Sequence, residues 1–449
     1  MGIMPVRKLL INMSVPIMIS MLIQALYNVV DSIFVARINE NALTAVSLAF
    51  PIQNLMIAIA VGTGVGINAL LSRNLGSQKF KEANKIAENG IFLAFFSYAI
   101  FLILGLFFAK SYFSNQTNDA QIIQYGTSYL TIISTASIGL FMQITFERLL
   151  QSTGRTFYTM VTQGTGAIVN IILDPILIFG LFGFPKMGVA GAAVATVTGQ
   201  SIAAIMAIYF NIKLNKEITL NLKKFKPQFS IIKKIYSVGI PSILMISLTS
   251  ITTYGINNIL IKFSSTATAV FGVYYKLQSF VFMPVFGLNN GMVPIIAYNY
   301  GARHKERLVE TIKLSVVYAI GIMSIGLMIL QIFPTQLLSL FNASEEMMII
   351  GLPALRIISL GYIFAGFSIV SSSVYQAFGK GFLSLIGEVI RQLVILLPVV
   401  YILSLLGDVN IIWWGYPIAE ILALTFNIIF LRFIYKKIID PMEDKNTFL

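Results

Sequence analysis

The sequence predicts an all-α integral membrane protein of twelve transmembrane helices, arranged as two six-helix lobes related by a parallel repeat. Three observations carry this. Of 449 residues, 57% are hydrophobic and 11% charged, where a soluble domain has about 45–50% apolar and about 25% charged residues. Apolar runs of about 20 residues, the length that crosses a bilayer, recur along the chain with only short polar breaks. Several uncommon residues also recur at one fixed offset of 225 positions, which points to two homologous halves.

In chain order the apolar runs give spans at 10–35, 45–70, 90–109, 127–149, 160–182, 189–210, 236–260, 268–297, 314–333, 348–375, 383–405 and 411–433. Arg7 and Lys8 ahead of the first run resemble a signal peptide, but the run is too long and lacks a small-residue cleavage site, so it reads as span 1. The offset pairs Pro16 with Pro241, Gly62 with Gly287, Gly66 with Gly291, Asn74 with Asn299, Gly76 with Gly301, Gln151 with Gln376 and Gly154 with Gly379. Six spans per half is an even number, so both halves cross in the same sense, as in the parallel-repeat transporters. The expected organisation is an N-terminal lobe at 1–211, a basic cytoplasmic linker at 212–234 and a C-terminal lobe at 235–449. A substrate path is expected where the two lobes face each other.

The net charge of +13 comes from 31 Lys and Arg against 18 Asp and Glu. Most of the basic residues lie at the termini and in the gaps after even-numbered spans, such as Arg73, Lys79, Lys81 and Lys85, then Lys213, Lys216, Lys223, Lys224, Lys226, Lys233 and Lys234. Gaps after odd-numbered spans hold only Arg37, Lys110, Lys186 and Lys262. Basic loops resist translocation, so both termini are expected in the cytoplasm and the charge reads as topology in a plasma membrane, not as nucleic-acid binding. The chain has no cysteine and one histidine, His304, set among Arg303, Lys305 and Arg307. Thiol, histidine-based and zinc chemistry are thereby excluded, no Walker-type loop is present, and neither enzymatic activity nor a cofactor is expected.

An ionisable group inside a span costs at least roughly 2.5–3.5 kcal/mol, which makes each one a functional candidate. The candidates taken from the runs are Asp31, Asp174, Lys276, Arg356, Glu388, Arg391 and Glu420. Glu388 and Arg391 are three residues apart on one helical face and read as an internal ion pair, while Lys276 and Arg356 are the candidate partners of Glu420. Spans 1 and 5, which carry Asp31 and Asp174, contain no basic residue. With the topology fixed, the helical rise puts Asp31, Asp174 and Thr196 in one layer near the outer side. Asn170 lies one turn from Asp174, Tyr27 and Asn28 one turn from Asp31, and Pro175 loosens the helix beside Asp174. Such a set of hard oxygens can hold Na⁺, or share a proton between two carboxyls that repel each other when both are ionised.

At these residues the chain resembles the multidrug and toxic compound extrusion (MATE) transporters. The resemblance rests on Tyr27-Asn28-Val29-Val30-Asp31, Leu71-Ser72-Arg73-Asn74-Leu75-Gly76, Gln151-Ser152-Thr153-Gly154-Arg155, Asn170-Ile171-Ile172-Leu173-Asp174-Pro175, Gly191-Ala192-Ala193-Val194-Ala195-Thr196 and Leu355-Arg356-Ile357, in that order over nearly the whole chain. It implies antiport, in which entry of Na⁺ or H⁺ drives export of bulky, often cationic aromatic compounds. The DinF-like prokaryotic branch holds its cation at positions that match Asp31, Asn170, Asp174 and Thr196, with Tyr27 and Asn28 as supporting candidates. The acidic residues that the NorM-like branch carries in spans 7 and 10 have no counterpart here.

The expectation is therefore a cation-coupled exporter of organic, cationic drugs, acting as a monomer in the lipid bilayer. A lipid-linked precursor flippase of the same broader fold is the alternative. It would want a strongly cationic cavity, for which Lys276, Arg356 and Arg391 are too few.

Overall fold

The structure, a computed structural model, describes residues 1–221, 225–341 and 343–442. Lys223 and Lys224 of the linker, and positions 443–449 of the C-terminal lobe, lie outside the described residues. The first half of the chain runs through α1 (Val6–Ala36), α2 (Glu40–Gly76), α3 (Phe80–Gln116), α4 (Ala120–Thr135), α5 (Ile138–Ser152), α6 (Thr156–Phe179) and α7 (Val189–Leu214). The second half runs through α8 (Phe229–Leu260), α9 (Ser265–Ala302), α10 (Lys305–Ile332), α11 (Pro334–Ser339), α12 (Glu345–Ser359) and α13 (Tyr362–Ala377). It continues with α14 (Gly381–Val389), a π-helical stretch at Ile390–Leu396, α15 (Leu397–Ser404), α16 (Val409–Ile412) and α17 (Gly415–Ile434). Among the described residues, ten helices are long and apolar enough to cross a membrane. Two bent pairs, α4 with α5 at 43° and α12 with α13 at 50°, complete the twelve spans.

The 225-residue offset holds for the backbone as well as for single residues. Glu40 and Ser265 begin α2 and α9, Phe80 and Lys305 begin α3 and α10, and Ala120 and Glu345 begin α4 and α12. The helix punctuation repeats with them. Asn39 and Ser264 each cap a helix by accepting from the backbone N–H three residues on, at 2.7 and 3.0 Å. Gln78 and Arg303 take the same left-handed conformation, with φ of 59° and 60°. Asn74 and Asn299 each donate to the carbonyl four residues back at 2.8 Å. The breaks, at Ala136–Ser137 and Leu360–Gly361, fall within one residue of the same offset. At the first, the hydroxyls of Thr135 and Ser137 donate to nearby carbonyls at 2.7 Å, the kind of local bond that bends a helix.

The chain forms two compact units, an N-terminal unit of Ile19–Gly239 and a C-terminal unit of Met1–Met18 with Ile240–Leu449. Their limits differ from a division at 211 and 235, because the first turns of α1 and of α8 each pack within the unit that does not hold the rest of the helix. The matched prolines Pro16 and Pro241 lie beside these crossovers. Matched glycines explain how the crossing segments are received. A Cβ at Gly66 would stand 2.2 Å from the Ile235 carbonyl oxygen, and one at Gly287 would stand 2.6 Å from Met18 Cα. Only glycine permits backbones to approach this closely. Within each unit the remaining spans pack as neighbours along the chain, α6 on α7 and α9 on α10 among them.

Candidate functional site

The N-terminal unit brings its four predicted site residues together. Asp31 is on α1, Asn170 and Asp174 on α6, and Thr196 on α7, where α6 and α7 pack along each other. Asp174 is fully buried, while Asn170 and Thr196 are 2% and 4% exposed. Oriented to satisfy both of its ends, the Asn170 amide donates to Asp174 Oδ2 at 3.2 Å and accepts from the Thr196 backbone N–H at 3.1 Å and from Thr196 Oγ1 at 3.3 Å. The spacing explains the arrangement: Asn170 and Asp174 are four residues apart on one face of α6. Asp31 approaches from α1, close enough for its carboxyl to interact with that of Asp174. Two bare carboxylates repel at that separation, so the contact calls for a proton or a cation between them.

Each of these carboxyls keeps a free oxygen. Asp31 Oδ1 and Asp174 Oδ1 are buried and find no hydrogen-bond partner among the described residues. Buried polar groups are nearly always satisfied, and two acidic exceptions side by side mark a place for a positive species. The carboxylate oxygens and the Thr196 hydroxyl are hard-oxygen ligands suited to a small hard cation, while the Asn170 amide oxygen faces Thr196 in this orientation. The two carboxyls fit a shared proton equally well. Among the described residues no group of three or more His, Cys, Asp or Glu forms.

The supporting residues divide. Tyr27, one turn before Asp31, lies close enough to both aspartates to interact with their charges. Asn28 does not join the site. Its side chain sits on the exposed part of α1, and its backbone carbonyl accepts from Ser32 Oγ at 2.9 Å. A step of one residue on a helix turns the side chain by about 100°, enough to take it off the Tyr27–Asp31 face. Two residues without a sequence signal complete the surroundings. Tyr129 on α4 is 2% exposed and lies close enough to interact with the charges of Asp31 and Asp174 and with the Gln53 side chain on α2.

A second polar cluster of this unit is also absent from the sequence expectations. Glu147 and Arg148 of α5 are 2% and 6% exposed. The Glu147 carboxylate accepts from Thr162 Oγ1 at 2.8 Å, Gln143 Nε2 at 3.1 Å and Gln163 Nε2 at 2.7 Å. Arg148 Nη1 donates to Gln151 Oε1 at 2.9 Å. Adjacent opposite charges near the end of span 4 were the available signal.

In the C-terminal unit the Glu388–Arg391 pair forms as its spacing suggests. Glu420 is paired differently from expectation. It meets neither Lys276 nor Arg356, both of which are exposed, and instead accepts from Arg391 Nη1 at 2.6 Å. The physical reason is the packing of α17 along the π-helical stretch that carries Arg391.

The sequence profile of the MatE family matches residues 16–176 and 241–402, one match in each half of the repeat. The chain is 28% identical over 416 residues to the multidrug export protein MepA of Staphylococcus haemolyticus, covering 92% of this chain and 90% of that protein. It is 26% identical over 422 residues to MepA of Staphylococcus aureus, covering 93% and 92%. Its fold superposes with a TM-score of 0.92, at 25% identity and over 96% of both chains, on the outward-facing conformation of a multidrug resistance MATE family transporter of the MOP superfamily. A MOP superfamily transporter from Pyrococcus furiosus, described as having a binding pocket of reverse polarity that suggests a different function, matches with a TM-score of 0.86 and 25% identity.

Proposed function

Because the chain belongs to the MatE family, a family of multi-pass multidrug transporters and not of enzymes, we propose that it works as a cation-coupled antiporter of the plasma membrane. In this reading Na⁺ or H⁺ entering at Asp31, Asn170, Asp174 and Thr196 drives the export of bulky organic cations. One observation carries the proposal: a fully buried and a half-buried acidic side chain close to each other, each with a buried oxygen that has no hydrogen-bond partner among the described residues. Their excess negative charge is costly inside the protein, and an entering cation removes it. A site whose charge changes on loading can favour one conformation when empty and another when full, which is the requirement for exchange.

The likeness to the two MepA proteins supports drugs as the exported class. Aromatic residues at 12% and 18 methionines supply the ring faces and flexible thioethers that accommodate varied flat cations. The basic termini and the basic 212–234 segment support a cytoplasmic position for all three. Single cysteines placed in this cysteine-free chain test the orientation: labelling of position 213 from outside would overturn it.

Reconstitution in liposomes tests the coupling. A pH gradient or a Na⁺ gradient is imposed alone while export of a fluorescent organic cation is followed. One of the two is expected to drive export. Export that ignores both gradients would sink the proposal.

A further inference from the structure

We propose that the Glu388–Arg391–Glu420 cluster of the C-terminal unit is a proton-binding site, with the proton carried on Glu420 Oε2. Three residues, two elements and one free oxygen define it. Arg391 stands in the π-helical stretch Ile390–Leu396, a local widening of the helix that recurs at functional positions. Its Nη2 donates to Glu388 Oε1 and its Nε lies 3.4 Å from Glu388 Oε2, so one carboxylate takes two of its nitrogens. Gln392 Nε2 donates to the same Glu388 Oε1, and Gln392 Oε1 accepts from Thr252 Oγ1 at 2.6 Å. Both oxygens of Glu388 are thus engaged. Glu420 uses only Oε1, toward Arg391 Nη1.

The charges do not balance. Two carboxylates share one guanidinium, which leaves one negative charge in excess. Glu420 is 9% exposed, and its Oε2 is buried without a hydrogen-bond partner among the described residues. Arg391, already shared with Glu388, is the one positive group acting on it among the described residues. Tyr274 of α9 also interacts with its charge, and Tyr416 lies one turn before it on α17. Lys276 and Arg356 are exposed, and the Lys276 ammonium stands 5.9 Å from the centre of the Phe341 ring. An excess buried charge is expensive, and a proton from solution added to the one free oxygen cancels it without breaking either ion pair. A metal ion would want several oxygen ligands; a proton needs one lone pair.

The position gives the site a structural outlet. A Cβ at Gly361 would stand 3.2 Å from Glu420 Cγ and 3.3 Å from Pro417 Cα, so the glutamate packs on the break between α12 and α13. Charge on Glu420 therefore changes at the joint of a bent span.

This proposal does not rest on the aspartate pair of the other unit, and the test keeps them apart. Infrared difference spectra of the reconstituted protein between alkaline and acidic pH are compared with those of Glu420→Gln, and proton uptake is counted with an indicator dye. The expected result is loss of one protonated-carboxyl component and one fewer proton taken up per chain in Glu420→Gln, with that same component retained in Asp31→Asn. If Glu420→Gln does not elute as a folded species, Glu388→Gln serves in its place. It leaves Arg391 and Glu420 as a balanced pair and must abolish the same component. Persistence of that component and of the proton count in a folded glutamate variant would overturn the proposal, whatever the aspartate variants do.

Discussion

The two units share a backbone and divide on chemistry. Several helix starts, the Asn39 and Ser264 caps and the left-handed Gln78 and Arg303 recur at the same offset, yet the residues of each interior polar cluster have apolar or neutral counterparts in the other unit. Asp31, Asn170, Asp174 and Thr196 correspond to Ile256, Ile395, Val399 and Ile421; Glu388, Arg391 and Glu420 correspond to Gln163, Gly166 and Ala195. Repetition has kept what sets the path of the chain, since caps, close glycine approaches and turns allow few substitutes. It has left each interior free to hold its own polar cluster. The N-terminal acids face each other with no base in contact, so their charge can vary. In the C-terminal unit a guanidinium between two carboxylates holds most of the charge fixed and leaves one oxygen over.

The strongest way to break this contrast is to remove charge from each unit in turn. Asp31→Asn and Asp174→Asn keep shape and hydrogen bonding but cannot carry the charge, so each is expected to abolish gradient-driven export while the protein still elutes as a folded species. Glu388→Gln and Glu420→Gln should keep substantial export. Active aspartate variants beside inactive glutamate variants would move the coupling site to the C-terminal unit.

Stability offers the next comparison, with the order of the units reversed. Arg391→Met leaves the buried Glu420 and the half-buried Glu388 without their base, and breaking a buried pair from one side costs up to about 3–5 kcal/mol. Restoring balance with Glu388→Gln and Glu420→Gln in the same chain should recover much of that loss, measured as resistance to denaturation in detergent. If Arg391→Met unfolds no more readily than the parent, the guanidinium is not what holds the cluster.

A smaller effect tests the shared scaffold. Gly66→Ala and Gly287→Ala each drive a methyl group into backbone, at 2.2 Å from the Ile235 oxygen and 2.6 Å from Met18 Cα. Overpacking of this kind costs about 1–3 kcal/mol. Both variants should lose stability, and a loss in one alone would show that the two crossing segments are received differently.

Much of this was legible in the sequence, for identifiable reasons. A bilayer fixes the length of every span, so hydropathy alone sets twelve of them, and the rise per residue then puts Asp31, Asp174 and Thr196 at one depth. Asn28 was mistaken because sequence spacing gives two neighbouring positions a turn from Asp31 and does not say which faces inward. Glu147 and Arg148 escaped notice because adjacent opposite charges near a span end read as the start of a loop. Gln53 and Tyr129 carry no formal charge and follow no period. The Arg391–Glu420 pair joins residues on different helices, and no intrahelical rule reaches across them. The crossing of α1 and α8 between units was likewise hidden, since apolar periodicity says that a helix is covered and not by what.

The finest comparison concerns the helix caps, where the two units should behave alike. Asn39 and Ser264 occupy equivalent positions, both with extended backbone, and each side-chain oxygen accepts from the N–H three residues on. An orphan N–H at a helix start is otherwise left to water or to nothing. Replacing such a cap by alanine typically costs about 1 kcal/mol, so Asn39→Ala and Ser264→Ala should destabilise by similar small amounts and leave export intact. Neither residue touches a carboxylate of either cluster, which makes the pair a control for the charge variants as well. Denaturation in detergent measures the loss, and liposome export checks the activity. If one cap proves several times more costly than the other, the repeat in the backbone conceals a difference in how the two second helices are anchored, and the units diverge in scaffold as well as in chemistry.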